Sequence, residues 1–273
     1  MVGTNSRLYH INTVVAMIAP TYAFFLTKKI SGNKISLSAD FSFGLKKNWR
    51  YYMIAWLLPG MMTFLGAVVY FAVLPNELDT SFGYVSRALK DNNINDMTAE
   101  YYIAKEIVNG ITVVPFVNIV LGMGEEIGWR GYLYPELRKK YSPFKAHLIT
   151  GFIWGLWHTP INMTGYNYGT RYFGFPIVGI IAMSVFCFSV GVVLSWLTAK
   201  TGSIFPASLM HGSVNAINSA GVMFQGIPYL YGPTMILGPS PNGLIGGIPM
   251  LILALAIIFK SQKNFKKPLD KSK

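Results

Sequence analysis

Long apolar runs separated by short charged segments set the pattern of this chain. Runs at residues 11–27, 51–74, 107–123, 147–163, 173–199, 204–224 and 243–259 are each about as long as a helix needs to cross hydrocarbon, roughly 17–25 residues. Because backbone polar groups inside lipid must be satisfied within the segment, such runs are read as helices. The pattern predicts an all-α protein: a polytopic transmembrane helix bundle of about seven spans, with an eighth left open by the short and re-entrant runs. The whole of 1–273 reads as one integral membrane domain, with a polar-motif core at about 107–224. Pro59-Gly60 predicts a kink in the second run, Pro115 interrupts the third, and Pro135 marks a break beyond it. Residues 225–242 carry no charge and are rich in Gly and Pro, the composition of a segment that dips into the interface.

Charge orders the segments between the runs. Residues 28–50 hold Lys28, Lys29, Lys34, Lys46, Lys47 and Arg50 against Asp40; Arg138, Lys139, Lys140 and Lys145 form a second basic cluster, and 260–273 a basic tail. Residues 75–106 instead carry Glu77, Asp79, Asp91, Asp96, Glu100 and Glu106, and read as an extramembrane loop with one or two short helices. Under the positive-inside rule the basic segments face the cytoplasm. Seven spans then place the N-terminus outside, the C-terminus in the cytoplasm and the protein in the cell membrane as a multi-pass chain. Lys28 and Lys29 follow the first run rather than precede it, so that run reads as a retained helix and not as a signal peptide.

Composition fits this reading. Of 273 residues 52% are hydrophobic and only 12% charged, against about 25% charged in a soluble domain, and mean hydropathy is +0.40. The net charge of +12 is explained by orientation signals, so nucleic acid is not an expected partner. A single cysteine, Cys187, rules out an internal disulfide and reads as a small buried hydrophobe.

Against this apolar background a few polar residues stand out. Glu125 and Glu126 close the third run, and an ionisable group at membrane depth is by default a functional candidate. On a helix Glu126 and Arg130 lie one turn apart and can pair, while Glu125 points about 100° away and stays available. His158 has Trp154 one turn before it, and His211 has Asn215 one turn after it. Two carboxylates, two imidazoles and an amide suit water activation, with Glu125 as general base, a histidine steering or donating a proton, and Asn215 stabilising an oxyanion. Ser208 and Ser213 have no evident base beside them. Glu125, His158 and His211 are also the ligand types of a catalytic zinc site, although three separate helices would have to supply them.

These residues carry a resemblance. Glu125-Glu126-x-x-x-Arg130, Trp154-x-x-x-His158 and His211-x-x-x-Asn215 resemble, in order, the motifs of the CAAX protease and bacteriocin-processing (Abi) family of integral membrane proteases. Trp154 stands where Phe is usual. The resemblance covers the C-terminal half and implies a helical bundle whose cavity opens to the cytoplasm or laterally to lipid. It implies Glu125 as water-activating base, Glu126 as its partner, Arg130 as a structural ion-pair member, and His158, His211 and Asn215 completing the site. The expected activity is an intramembrane endopeptidase acting on a membrane-associated peptide or protein. Short loops and a lysine-rich tail favour a bacterial, unmodified peptide over a prenylated one. The cofactor is left open between a divalent metal such as Zn2+ and none. Two other classes compete: a non-catalytic immunity or scaffold protein, and a proton-coupled transporter. An amide beside His211 favours the hydrolase, since an amide holds an oxyanion but does not relay a titrating proton.

Overall fold

The computed structural model describes residues 7–230 and 232–265; the basic tail expected at 260–273 lies outside the described residues beyond 265. Among the described residues every element is helical and no strand forms. The order is α1 (Arg7–Ile30), α2 (Leu45–Val73), α3 (Gly83–Asp91), α4 (Ala99–Thr112), α5 (Val114–Val117), α6 (Ile119–Gly128), α7 (Tyr134–Arg138), α8 (Pro143–Trp157), α9 (Thr159–Met163), α10 (Ile177–Thr201), α11 (Phe205–Ile217) and α12 (Ile248–Phe265). Among these residues two helices, α2 and α10, are long and apolar enough to cross a bilayer. The first expected span lies within α1 and the seventh mostly within α12, whereas the third is assembled from the end of α4 with α5 and α6, and the fourth from α8 and α9.

Local sequence accounts for the breaks. Gly32 and Asn33 both adopt positive φ and end α1, with Lys28 and Lys29 in the last turn, where cations favour the helix dipole. Pro115 sits in the first turn of α5 and divides the third run as its sequence suggests. Pro59 does not break α2, which runs unbroken from Leu45 to Val73. α8 starts four residues before the expected run, because Ser142 caps it, its Oγ accepting from the Lys145 amide at 3.4 Å, and Pro143 fills the first turn. His147, expected at a span end, therefore lies inside α8, buried and stacked on Tyr134 with ring centroids 4.2 Å apart.

Beyond Gly128 the chain stays helical through a single π turn, Trp129–Leu133, into α7. Pro135 has no N–H for the Gly131 carbonyl one turn before it, and the Ser38 amide takes that carbonyl instead at 2.9 Å. The helix of the two glutamates is thereby tied to the loop between α1 and α2.

α10 is the central helix, with Val192, Val193, Leu194 and Leu197 fully buried. Its neighbours approach backbone to backbone: a Cβ on Gly151 of α8 would lie 2.6 Å from Phe188 Cα. α6 is clasped in the same way, Gly128 against Pro20 of α1 and Gly122 against the Ser208 carbonyl of α11. Small residues at such crossings permit the close van der Waals packing that holds helices together in lipid. The outward face of α2 shows Met61, Phe64 and Val68 to the surroundings. α3 and α4 form a small separate cap, with Val85, Leu89, Ala99 and Ile103 packed on Met223 and Phe224. Its base is a buried polar knot in which Gln225 Nε2 donates to Glu77 Oε2 at 2.8 Å and the Tyr70 hydroxyl donates to the same oxygen.

Candidate active site

The two glutamates sit in the last turn of α6, both buried, at 2% and 0% exposure. Their side chains part as helix geometry requires. Arg130 Nη1 donates to Glu126 Oε1 at 3.0 Å, one turn along and wholly shielded from solvent. His211 comes across from α11, and its Nδ1 lies 2.8 Å from the same Glu126 oxygen. A carboxylate accepts, so Nδ1–H is the donor, and in its neutral form the ring keeps its lone pair on Nε2. That nitrogen faces Glu125, 3.7 Å from Oε1. Glu126 is thus the orienting group for His211, and His211 spans both carboxylates.

Glu125 is held from its other side. Its Oε2 accepts from Trp129 Nε1 at 3.1 Å, one turn along the same helix, and from Trp154 Nε1 at 2.8 Å, across from α8. Trp154 is the hub of the cluster. The Arg130 guanidinium lies over its ring at 4.3 Å, and the rings of His211 and His158 stand 5.5 and 5.9 Å from it. Sequence reading missed both indole donors. The i, i+4 spacing that pairs Glu126 with Arg130 also pairs Glu125 with Trp129, so that half was open to the same arithmetic.

His158 ends α8, where Pro160 prevents the helix from running on. Its Nδ1–H donates to the Trp154 carbonyl at 2.8 Å, leaving Nε2 free. Cys187 Sγ approaches the same Nδ1 at 3.7 Å and is fully buried. Asn215 is not drawn into the cluster. It is exposed, one turn beyond His211, and makes no hydrogen bond among the described residues. Ser208 and Ser213 each donate to the carbonyl one turn back, to Ile204 and Leu209, which removes both as nucleophiles in waiting.

The three candidate metal ligands each have one polar atom engaged, which leaves Glu125 Oε1, His211 Nε2 and His158 Nε2 without a hydrogen bond among the described residues. Glu125 gives Oε2 to two indoles, His211 gives Nδ1 to Glu126, and His158 gives Nδ1 to its own helix. Among the described residues no three His, Cys, Asp or Glu side chains are grouped to hold an ion. The chemistry below uses the side chains alone.

Arg130 lies beside the lysine-rich α1–α2 loop through the Ser38–Gly131 bond, whereas Asn215 lies at the far end of α11. α11 begins beside the α1–α2 loop, where Ser203 Oγ donates to the Ser42 carbonyl at 2.7 Å. Asn215 stands ten residues beyond Phe205, about 15 Å further along the helix axis. At that end residues 220–226 meet the acid-bearing cap, with the Asp79 amide donating to the Phe224 carbonyl at 2.8 Å.

Comparison with known proteins covers the same stretch. Residues 107–217 match the family described as type II CAAX prenyl endopeptidase Rce1-like, a span that includes every residue of the cluster. A protein of Methanococcus maripaludis named CAAX prenyl protease 2 is 31% identical over 103 residues, 37% of this chain and 38% of that relative. The chain therefore matches well under half the length of that relative. Residues 107–217, with their three ordered motifs, are thus similar to the Rce1-like CAAX prenyl endopeptidases of the CAAX protease and bacteriocin-processing family.

Proposed function

We propose that this protein is an intramembrane endopeptidase in which Glu125 activates water against a peptide bond. The observation that carries the reading is the placement of Glu125 Oε1, left free by the indoles and 3.7 Å from His211 Nε2. A water between those two atoms has an acceptor for each proton and an oxygen lone pair left to attack. Glu125 takes one proton as the water oxygen bonds to the scissile carbonyl carbon. The oxyanion is met by the Asn215 amide, whose side chain is exposed and unengaged. Glu125 returns that proton to the leaving amine as the C–N bond breaks, while His158 Nε2, whose ring carries its proton on Nδ1, accepts a hydrogen bond from that amine. Glu126 and Arg130 act one step removed, fixing the tautomer and aim of His211.

The substrate is a membrane-associated peptide or protein. The names of the family and of its archaeal member favour a prenylated C-terminus over the unmodified bacterial peptide suggested by loop length. The expected topology is multi-pass with about seven spans, lysine-rich loops in the cytoplasm and the N-terminus outside, supported by the apolar helices and by the charge of their loops.

The test is cleavage by purified protein in detergent of a fluorogenic prenylated C-terminal peptide and of its unprenylated counterpart. Glu125→Gln should lower kcat at least 1000-fold with its melting temperature kept. Full activity in that variant would remove Glu125 as base. Failure of the wild type to cut either peptide would favour the immunity or scaffold reading, and a proton flux into liposomes that needs Glu125 would favour the transporter.

A further inference from the structure

We infer that Trp129 and Trp154 are positioning residues for Glu125, a two-indole clamp that fixes one carboxylate oxygen so that the other alone does chemistry. The inference rests on the peptidase reading above. Both donors meet the same atom, Oε2, at 3.1 and 2.8 Å, while Oε1 has no hydrogen bond among the described residues. An indole carries one N–H and no acceptor, so neither tryptophan can relay a proton or take one from water. What each can do is hold. A carboxylate on a two-carbon stem turns freely about its last bond, and two N–H groups from different helices stop that rotation.

The two donors are not equal. Trp154 also carries Arg130 over its ring face at 4.3 Å, and a cation there draws electron density from the indole and strengthens its N–H as a donor. The shorter of the two bonds is the one to Trp154. Arg130 thereby serves both carboxylates: Glu126 through an ion pair, Glu125 through the polarised indole. Both rings are buried, at 8% and 3% exposure, so water does not compete for the bonds.

Trp154→Phe keeps a ring beneath Arg130 and removes only the donor; Trp129→Phe removes the donor at the start of the π turn. The first readout is independent of turnover. In protein labelled with 15N at the indole nitrogens of its six tryptophans, two Nε1–H signals, identified by their loss in the two Phe variants, should shift upon Glu125→Ala while the rest stay. The second is kinetic. Each Phe variant should lower kcat about 10- to 100-fold, as expected for one hydrogen bond to a charged group, with KM changed less than about twofold. A merely structural role would instead lower the melting temperature and leave kcat per folded molecule unchanged. Absence of the two shifts overturns the clamp, and unaltered kcat in both variants overturns its positioning role. An inactive wild type overturns the peptidase reading and the positioning role with it, and leaves the clamp itself to be decided by the signals.

Discussion

Removing Arg130 tests how the buried charges are balanced. In Arg130→Met the Glu126 carboxylate, at 0% exposure, keeps only the His211 N–H as partner. Leaving one member of a buried pair alone costs about 3–5 kcal/mol. The intact pair is itself far from ideal. Glu126 Oε2, Arg130 Nε and Arg130 Nη2 are buried and have no partner among the described residues, so much of the desolvation of both ions goes uncompensated. Replacing both members by apolar side chains of similar size should therefore restore most of the loss. Met at 130 with Leu at 126 is expected within about 1–2 kcal/mol of the wild type, a coupling of about 3 kcal/mol or more between the positions. The assay is unfolding in mixed micelles followed by circular dichroism for the wild type, the two single variants and the double. Only stability should return in the double, because His211 has lost its orienting carboxylate. Two results would refute the reasoning: Arg130→Met within about 0.5 kcal/mol of wild type, or a double variant as unstable as the sum of the singles.

Two other regions yield predictions. Gly128→Ala would place a Cβ 2.6 Å from both Pro20 Cβ and the Pro20 carbonyl oxygen, and should cost about 1–3 kcal/mol as α1 is pushed from α6. Gly60→Ala in α2 meets nothing within 4 Å and should be neutral or mildly stabilising in the same melts. Asp79 caps the approach to α3, and its carboxyl is held below the ordinary 3.8 chiefly by the Ser81 hydroxyl, then by the Ser81 and Gly83 amides. A depressed carboxyl stabilises the fold fully above 3.8 and loses that contribution as pH falls through its lower folded value. Hydrogen-exchange protection of the 83–91 amides, corrected for intrinsic rates, should fall in that range and become pH-insensitive in Asp79→Ala. An unchanged profile in Asp79→Ala would count against the cap.

Where spacing on one helix settles a contact, the sequence is enough. Glu126 and Arg130 needed only the i, i+4 rule, and Ser31-Gly32-Asn33 and Pro115 announce their own turns. The third span resumes at Ile119 and slips into a π turn at Trp129 for reasons of packing that no local signal carries. The bond from Trp154 to Glu125 joins residues 29 apart on different helices, and an aromatic in an apolar run gives no hint of which carboxylate its N–H will find. Asn215 shares a helix with His211, yet periodicity could not say that its side chain stays outside the hydrogen-bonded cluster.

The glycine crossings also decide how anything reaches Glu125. At Gly124 and Gly128 on one flank of α6, at Gly122 on the other, and at Gly151 between α8 and α10, the facing residue is largely backbone. A seam lined by side chains can open by rotamer changes within nanoseconds, but a seam of backbone on backbone opens only if whole helices separate. Those flanks behave as welded walls. At the Asn215 end of α11 a Cβ on Gly110 of α4 would lie 3.0 Å from the Ala216 carbonyl oxygen, a crossing of the same kind. Beside that end runs an apolar trough of about 640 Å³ between α2, α4 and the turn after α11, lined by Phe64, Phe71, Ile111 and Phe224. The packing that makes the bundle rigid thus confines easy movement to side-chain-lined space such as this trough and a second one of about 300 Å³ between α1 and Trp129.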